Sequence, residues 1–529
     1  MTGRSRWLPL LFAVGFAGSL ALRVLAVDNR EIWLDESHSA LLAGMPLGDL
    51  LEFVRGDVHP PLYFLLLNGW RLLAGDSPLA LRGFSILASA VGGLVFMAVA
   101  LRVFGRGWQA LLASLLFWFS PVLVHYGVEV RMYALATALV ALLALGLAEL
   151  LRGESAGGRR FPPGTLLVAV AGALAFYTHY VMVFVFAGLA AFAAVEAIRG
   201  RLPIRRVLPA AVLLAIMTAP WLPVLLEQRA AKAELRRVEL AARSDPSSLS
   251  YGPDTNPSRS LGATVKAALE NVASAAGVYP ADRLPWLALL SLPFVVAVAA
   301  GLAGWNRLPW VRLFAFVAGA TVVGGILSGI TARRFLVVLV PFLALAIAEA
   351  LTALRGRTRV WLGAVTGAAL IAVYGAGSVR AATVVSAQPT TQIVRHLKRE
   401  LRAGDLVVAE ALYYEVLLTY HARQIGLVLP IRGFPVPIAS WWASQRFKGW
   451  GGPPISTQEL DAFVAALPAS AASGRVWLTQ FETRYYDPRH RLLGALVASG
   501  ARATRVASIP EDGREVLYLV ELSAVQASR

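Results

Sequence analysis

The sequence predicts a polytopic α-helical membrane protein of about eleven spans, followed by a small soluble α/β domain. Three observations carry that prediction. Of 529 residues, 57% are hydrophobic and only 15% charged, and the mean hydropathy is +0.62. A soluble domain averages about 25% charged and 45–50% apolar residues. Apolar runs long enough to cross a bilayer recur until roughly residue 380, where the pattern changes to short strands alternating with amphipathic helices. Disorder and collagen-like repeats are excluded, and with no Cys there is no disulfide, thiolate metal site or Cys nucleophile.

Arg4 and Arg6 precede the apolar stretch Trp7–Val27. At about 20 residues it is long for a signal peptide, so an uncleaved first span is expected. Further spans are expected at Phe84–Phe104, Trp108–Val124, Met132–Leu151, Thr165–Thr178, Tyr180–Ile198 and Val207–Leu226. After a polar interval come Leu284–Gly304, Leu313–Ile330, Phe335–Leu354 and Val360–Gly377. The segment Pro61–Gly75 is short and contains Asn68 and Arg71, so it reads as interfacial.

The net charge of +17 would suggest nucleic acid in a soluble protein. Here the basic residues lie between apolar runs, so no nucleic-acid partner is expected and the charge becomes a topology signal. With a cytoplasmic N-terminus, the clusters Arg102/Arg106, Arg199–Arg206 and Arg355–Arg359 all fall inside. The chain is therefore expected in the inner (plasma) membrane, with the C-terminal domain extracytoplasmic. That divides it into a membrane domain over 1–380, with outer loops at 28–82 and 228–283, and a soluble domain over 381–529. The second loop, rich in Ser, Pro, Asp and Gly, is expected to be irregular. In the soluble domain, strands are expected at Leu406–Ala409, Gly426–Pro430, Val476–Thr479 and Val516–Val520, and helices at Gln392–Leu401, Glu459–Leu467 and Arg491–Ser499.

Charges are scarce, so their placement is informative. The first outer loop reads IWLDESHSALLAG and then LLEFVRGDVHPPLYF. Asp35, Glu36 and His38 open a short helix, with capping by Asp35 as the plain alternative. Asp57 and His59 precede a double proline that restricts the backbone around them. Carboxylates so placed can act as general bases or hard-cation ligands. A second group, HYGVEVRMYAL, holds Glu129, Arg131 and Tyr133 at the head of a span beside His125; charges at a membrane edge have partners. Arg333 and Arg334 open another span on the outer side, against the inside bias, where Arg suits a phosphate. His179 and Tyr180 lie between two spans. Acidic groups, an Arg pair and aromatics on one face suit an enzyme with an anionic lipid-linked substrate. Trp441, Trp442 and Trp450 could stack on sugars or serve packing.

WLDESHSALLA…DVHPPLYFLLLNGW, VEVRMYALATALVALLAL, FYTHYVMVF and RRFLVVLVPFLALAIA together resemble GT-C integral-membrane glycosyltransferases. The nearest group is the dolichyl-phosphate-mannose–protein mannosyltransferase and aminoarabinose transferase-like family, over roughly residues 1–380. The resemblance implies transfer of a sugar from a polyprenyl-phosphate-linked donor to a glycan, lipid or protein acceptor on the outer face, by inverting single displacement. It implies that Asp35, with Glu36 beside it, acts at the acceptor, that Asp57 and His59 form a second first-loop site, and that Glu129 holds the acidic position before the fourth span. Arg333 or Arg334 would hold the donor phosphate, and Arg131, Tyr133, His179 and Tyr180 would line the site. Some members use a divalent cation; here Asp35, Asp57, His59 and Glu129 could furnish a mixed oxygen and nitrogen set. A flippase for lipid-linked saccharides is the alternative, but it favours midplane charges and inverted repeats, and neither is visible.

Overall fold

The computed structural model describes residues 6–152, 162–244, 248–249, 262, 287–328, 332–354, 356–385, 389–437, 455–481, 487, 489–506 and 515–523. Trp441, Trp442 and Trp450, and most of the Ser/Pro-rich segment of the second loop, lie outside these residues. The chain forms two compact units. One comprises Met1–Arg30, His59–Leu222 and Ser260–Val385; the other comprises Glu31–Val58, Pro223–Arg259 and Ser386–Arg529.

The first unit is helical. Among the described residues, seven helices are long and apolar enough to cross a membrane, and five shorter apolar helices accompany them. Tyr133–Arg152 and Arg333–Thr352 are the central ones, with 67% and 78% of their apolar windows buried against 28% for Leu8–Asp28. The peripheral helices instead expose Leu72, Leu73, Ile198 and Leu327. Such surfaces need lipid, because apolar area of that extent is costly in water. This is a multi-pass membrane architecture.

Prolines shape the departures from the expected spans. Trp108–Val124 is not one helix: Trp108–Trp118 stops, and Pro121–Tyr126 begins anew, because Pro121 removes a helix-interior donor. Val207–Leu226 similarly becomes Ile204–Thr218, a tight turn at Ala219–Trp221 containing Pro220, and a helix running on from Leu222 to Ser244. The expected irregular loop thus begins as helix. Pro61–Gly75 forms the helix Leu62–Ala74.

Two buried arginines of this unit show how a charge is matched away from water. Arg312 grips Glu196 with two bonds of 2.9 and 2.8 Å. Arg82, 1% exposed, instead donates to the backbone oxygens of Val27 at 2.9 Å and Arg30 at 2.5 Å. Carbonyls at a helix C-terminus carry partial negative charge and can serve a cation in place of a carboxylate.

The second unit is α/β. Among its described residues are seven strands: β1 (Ser248–Leu249), β2 (Leu406–Ala409), β3 (Ile431–Gly433), β4 (Ile455–Ser456), β5 (Arg475–Phe481), β6 (Arg502–Arg505) and β7 (Glu515–Glu521). β1 pairs with β4, and the rest form one sheet in the order β3-β2-β5-β7-β6. β3, β2 and β5 run parallel, while β7 and β6 are antiparallel additions. Alternation in β2 sends Leu406 and Val408 to one face, with the helix Thr457–Ser470, and Val407 and Ala409 to the other, with the helices Pro389–Glu400 and Leu412–Gln424. Leu34 of the first loop packs with this second cluster. The expected strand Gly426–Pro430 falls later, at Ile431–Gly433: Pro430 only accepts, from Val407 N at 2.8 Å, having no N–H to give.

Candidate active site

In the first unit, the connection between Trp118 and Tyr133 carries Glu129 and Arg131. It is irregular on both sides of the short helix Pro121–Tyr126, so its polar backbone needs external partners, and neighbouring side chains supply them. Ser85 Oγ donates to Glu129 O at 2.5 Å and Ser89 Oγ to Gly127 O at 3.0 Å. Arg30 Nη1 donates to His125 O at 2.8 Å, and Ser378 Oγ to Phe119 O at 2.6 Å. Gly127 is a true space requirement: a Cβ there would lie 2.3 Å from Leu123 O and 2.8 Å from Ser89 Oγ. The segment is therefore fixed from four directions. It holds Glu129 with 7% and Arg131 with 1% exposure.

Arg131 Nη2 lies 3.1 Å from His59 Nε2. Since a guanidinium only donates, His59 accepts at Nε2 and carries its proton on Nδ1. His179 stands on the turn between two helices. Its Nδ1 accepts from Val181 N at 3.1 Å, which leaves the proton of the neutral ring on Nε2. That Nε2 is buried and without a hydrogen-bond partner. Burial first, then the electrostatic influence of neighbouring groups, Arg131 and Arg334 among them, pushes the His179 imidazole down to about 3. It is thus a neutral donor set among cations.

His125 shares this character. Burial, with Arg30 and Arg333 nearby, pushes it down to about 3. Its 3.5 Å approach to Glu129 Oε1 is accordingly a contact with a neutral imidazole and not an ion pair. Arg333 bears on His125 and Arg334 on His179, so the adjacent arginines serve two sides of one cluster. Aromatic rings seal it. Tyr133 lies 5.2 Å from Tyr126 and 6.2 Å from His179. Phe335 lies 5.2 Å from His179 and under Arg334. Tyr180 accepts from Trp221 Nε1 at 2.7 Å, which turns its ring into the bundle wall.

Of the predicted residues of this unit, His59, Arg131, His179 and Arg334 come together directly, with Tyr133 and Arg333 beside them. Glu129 reaches the group through His125. Sequence reading did not single out Arg30, Ser85 or Phe335. Arg30 follows the first span at the end opposite Arg4 and Arg6; on the expected topology that placement runs against the inside bias and could have flagged it.

The second unit holds Asp35, Glu36 and Asp57. Asp35 and Glu36 open the helix Leu34–Ala43 and are 1% and 0% exposed. Glu36, and not Asp35, takes the capping duty: its Oε2 accepts from Trp33 N at 3.3 Å. Asp57 closes the helix Leu47–Gly56, its N–H donating to Val54 O. Gln228 Nε2 ties that helix end by donating to Val54 O at 2.9 Å, and His421 Nε2 approaches Ile32 O at 2.9 Å. Among the described residues, no three His, Asp or Glu side chains gather as a metal group. Of the mixed set suggested by sequence, Asp35 and Asp57 belong to this unit and His59 and Glu129 to the other.

Residues 58–226 match the family model described as dolichyl-phosphate-mannose-protein mannosyltransferase. No curated protein is significantly similar in sequence. Among solved structures, ArnT from Cupriavidus metallidurans in the apo state is similar at a TM-score of 0.60, with 15% identity over 99% of both chains. The same protein bound to undecaprenyl phosphate gives 0.57, with 14% identity over 98% of both chains. Residues 58–226 thus resemble that mannosyltransferase family, and the chain as a whole shares the fold of ArnT.

Proposed function

We propose that the protein moves a sugar from a polyprenyl-phosphate-linked donor to an extracytoplasmic acceptor by inverting single displacement. The observation that carries this reading is the pair of cations Arg131 and Arg334 at the neutral, unpartnered Nε2–H of His179, with Arg333 beside the neighbouring His125. When the bond between the anomeric carbon and the phosphate oxygen breaks, the phosphate gains a negative charge. Donors aimed where charge develops lower the barrier, by about 3–4 kcal/mol for one well-placed group. Guanidinium forks suit phosphate oxygens, and a neutral His donor adds a bond without further crowding of positive charge. ArnT bound to undecaprenyl phosphate supports a polyprenyl phosphate as carrier.

The acceptor hydroxyl must lose its proton as it attacks the anomeric carbon. Asp35 is the base in this reading, with Glu36 occupied in holding its helix start. Glu129, Asp57 and His59 shape the acceptor and donor sides, while Tyr133 and Tyr180 bound the sugar. The sugar is a hexose or a pentose.

The test is reconstitution of purified protein in vesicles with polyprenyl-phosphate sugars, alongside mass spectrometry of surface glycans in a deletion strain. An accumulating lipid-linked sugar with a missing glycan is expected. Unchanged glycans and unchanged donor pools would sink the reading.

A further inference from the structure

Arg23 stands inside the first helix, Leu8–Asp28, with 3% exposure. A guanidinium is always charged, and a charge at membrane depth needs a partner. Among the described residues no charged side chain acts on it. Its Nη1 donates to Ser19 O at 3.0 Å and to Trp118 O at 3.3 Å. Its Nε is buried and without a hydrogen-bond partner, and Nη2 makes neither of those two bonds. Nε–H and one Nη2–H run parallel, as a two-pronged fork for an anion. Two other arginines of this unit show what that edge takes. Arg312 holds Glu196 with Nε and Nη2, and Arg102 holds Glu149 with the same pair. Arg23 presents the same edge with no carboxylate of the described residues against it.

The side chain lines a cavity whose wall also includes Ser89, Tyr126, Gly127, Tyr133 and Thr137, the other residues being apolar. Nε lies toward Gly127, where a Cβ would stand 3.2 Å from it. Two hydroxyls of the wall are engaged elsewhere: Ser89 Oγ donates to Gly127 O at 3.0 Å and Thr137 Oγ1 to Tyr133 O at 2.9 Å. Neither brings negative charge to the fork. The room inside is about that of one water-sized body. Tyr126 and Tyr133 also belong to the aromatic wall around His179, so the cavity adjoins the candidate active site.

We propose that the Nε/Nη2 edge of Arg23 holds one small monovalent anion of the halide class in this cavity. A single negative charge balances a single guanidinium, and a spherical ion accepts from both prongs at once. A phosphate ester or a carboxylated sugar needs more room than the cavity has. A water molecule would accept from the fork but would leave the charge uncompensated at membrane depth. The ion would tie the helix Leu8–Asp28 to the Gly127 turn, and so to the segment that carries Glu129 and Arg131. The site is independent of the glycosyl-transfer reading, because binding and stability report on it without any sugar donor.

The test uses the full-length protein purified in detergent without halide. Sodium chloride and sodium bromide are the probes, with sodium gluconate at equal ionic strength as the control. Equilibrium dialysis with 36Cl should give one ion per chain. The melting temperature should rise saturably with chloride or bromide and stay level with gluconate, as mass action requires of a ligand of the folded state. Arg23→Lys keeps the charge but has no fork, and it should bind chloride at least tenfold more weakly. Arg23→Met should lose the chloride-dependent rise, whatever its own melting temperature. If that variant does not fold, the wild-type comparison of chloride with gluconate still decides. A wild-type protein that binds no chloride and unfolds identically in both salts overturns the proposal. Chloride binding of unchanged affinity in Arg23→Met overturns it equally.

Discussion

Arg131 and His59, 72 positions apart in sequence, meet at 3.1 Å between guanidinium Nη2 and imidazole Nε2. The contact makes His59 an acceptor at that nitrogen and fixes the direction of the buried Arg131 guanidinium. Arg131→Met should therefore lower the transfer rate by about 10²–10³-fold, the typical loss for one well-placed donor to developing charge. Arg131→Lys should recover part of it, since a single ammonium replaces a fork. Steady-state kinetics with a polyprenyl-phosphate sugar in vesicles would show the loss mainly in kcat. A fall in binding alone would mean that Arg131 acts equally on bound donor and transition state.

The depressed histidines set a pH dependence. His125 and His179 are held near 3 in the folded protein, by burial first and then by neighbouring arginines, against an ordinary value of about 6.5. An unfolded chain thus binds more protons below pH 6.5, so stability is full above that value and is lost as pH falls toward 3. Each residue contributes up to about 1.4 kcal/mol per pH unit in that window. Thermal unfolding of the detergent-solubilised protein should be flat from pH 7 to 8 and decline below 6. His179→Phe, which cannot titrate, should decline less steeply. An unaltered slope in that variant would exclude His179 as a source.

How much of this was legible in sequence depends on what each residue bonds to. Arg131, His179 and Arg333–Arg334 stood out because charge is rare in so apolar a chain. Their grouping did not, because it joins separated stretches: residue 59, the 129–133 turn, the 179 turn and the 333–334 turn. Arg82 and Arg30 were silent because their partners are backbone oxygens, and no acidic residue at a telling spacing announces them. The break at Phe119–Ser120 was hidden by uninterrupted hydropathy, although Pro121 marks it. In the α/β unit, β2, β5 and β7 were legible as apolar runs. The helix Leu412–Gln424 was not, since its aromatic-rich sequence lacks a side-chain cap and a clear apolar face. β6 was missed because its exposed Arg502 and Arg505 give no apolar alternation.

Gly127 tests whether the turn before the Tyr133–Arg152 helix must be held as tightly as the geometry implies. Its φ is −74°, so any residue could adopt the backbone, and only space forbids one. Alanine would place Cβ 2.3 Å from Leu123 O and 3.2 Å from Arg23 Nε. Neither the buried carbonyl nor the buried Arg23 can retreat cheaply. Gly127→Ala should cost about 1–3 kcal/mol or more by overpacking, and it should depress transfer by shifting Glu129 and Arg131. Melting temperature and activity measured together check this. Full activity at wild-type stability would mean that the turn is free to move.

Asp35 and Glu36 separate a chemical role from a structural one on a single helix. Both are buried, and Glu36 holds the helix start by accepting from Trp33 N at 3.3 Å. Glu36→Gln keeps an oxygen there and should cost under about 1 kcal/mol, while Glu36→Ala should cost about 0.5–2 kcal/mol as other lost helix-start bonds do. Neither should abolish transfer if Glu36 serves the fold alone. Asp35→Asn preserves shape but removes the basic carboxylate, so transfer should fall by about 10²–10⁴-fold, the usual share of general-base catalysis, with the melting temperature nearly unchanged. Assay of the three variants in vesicles, normalised to folded protein by size-exclusion chromatography, reads both effects. If Asp35→Asn retains full activity, the acceptor is not deprotonated by Asp35; if Glu36→Gln also loses activity at full stability, the base is the pair and not its first member.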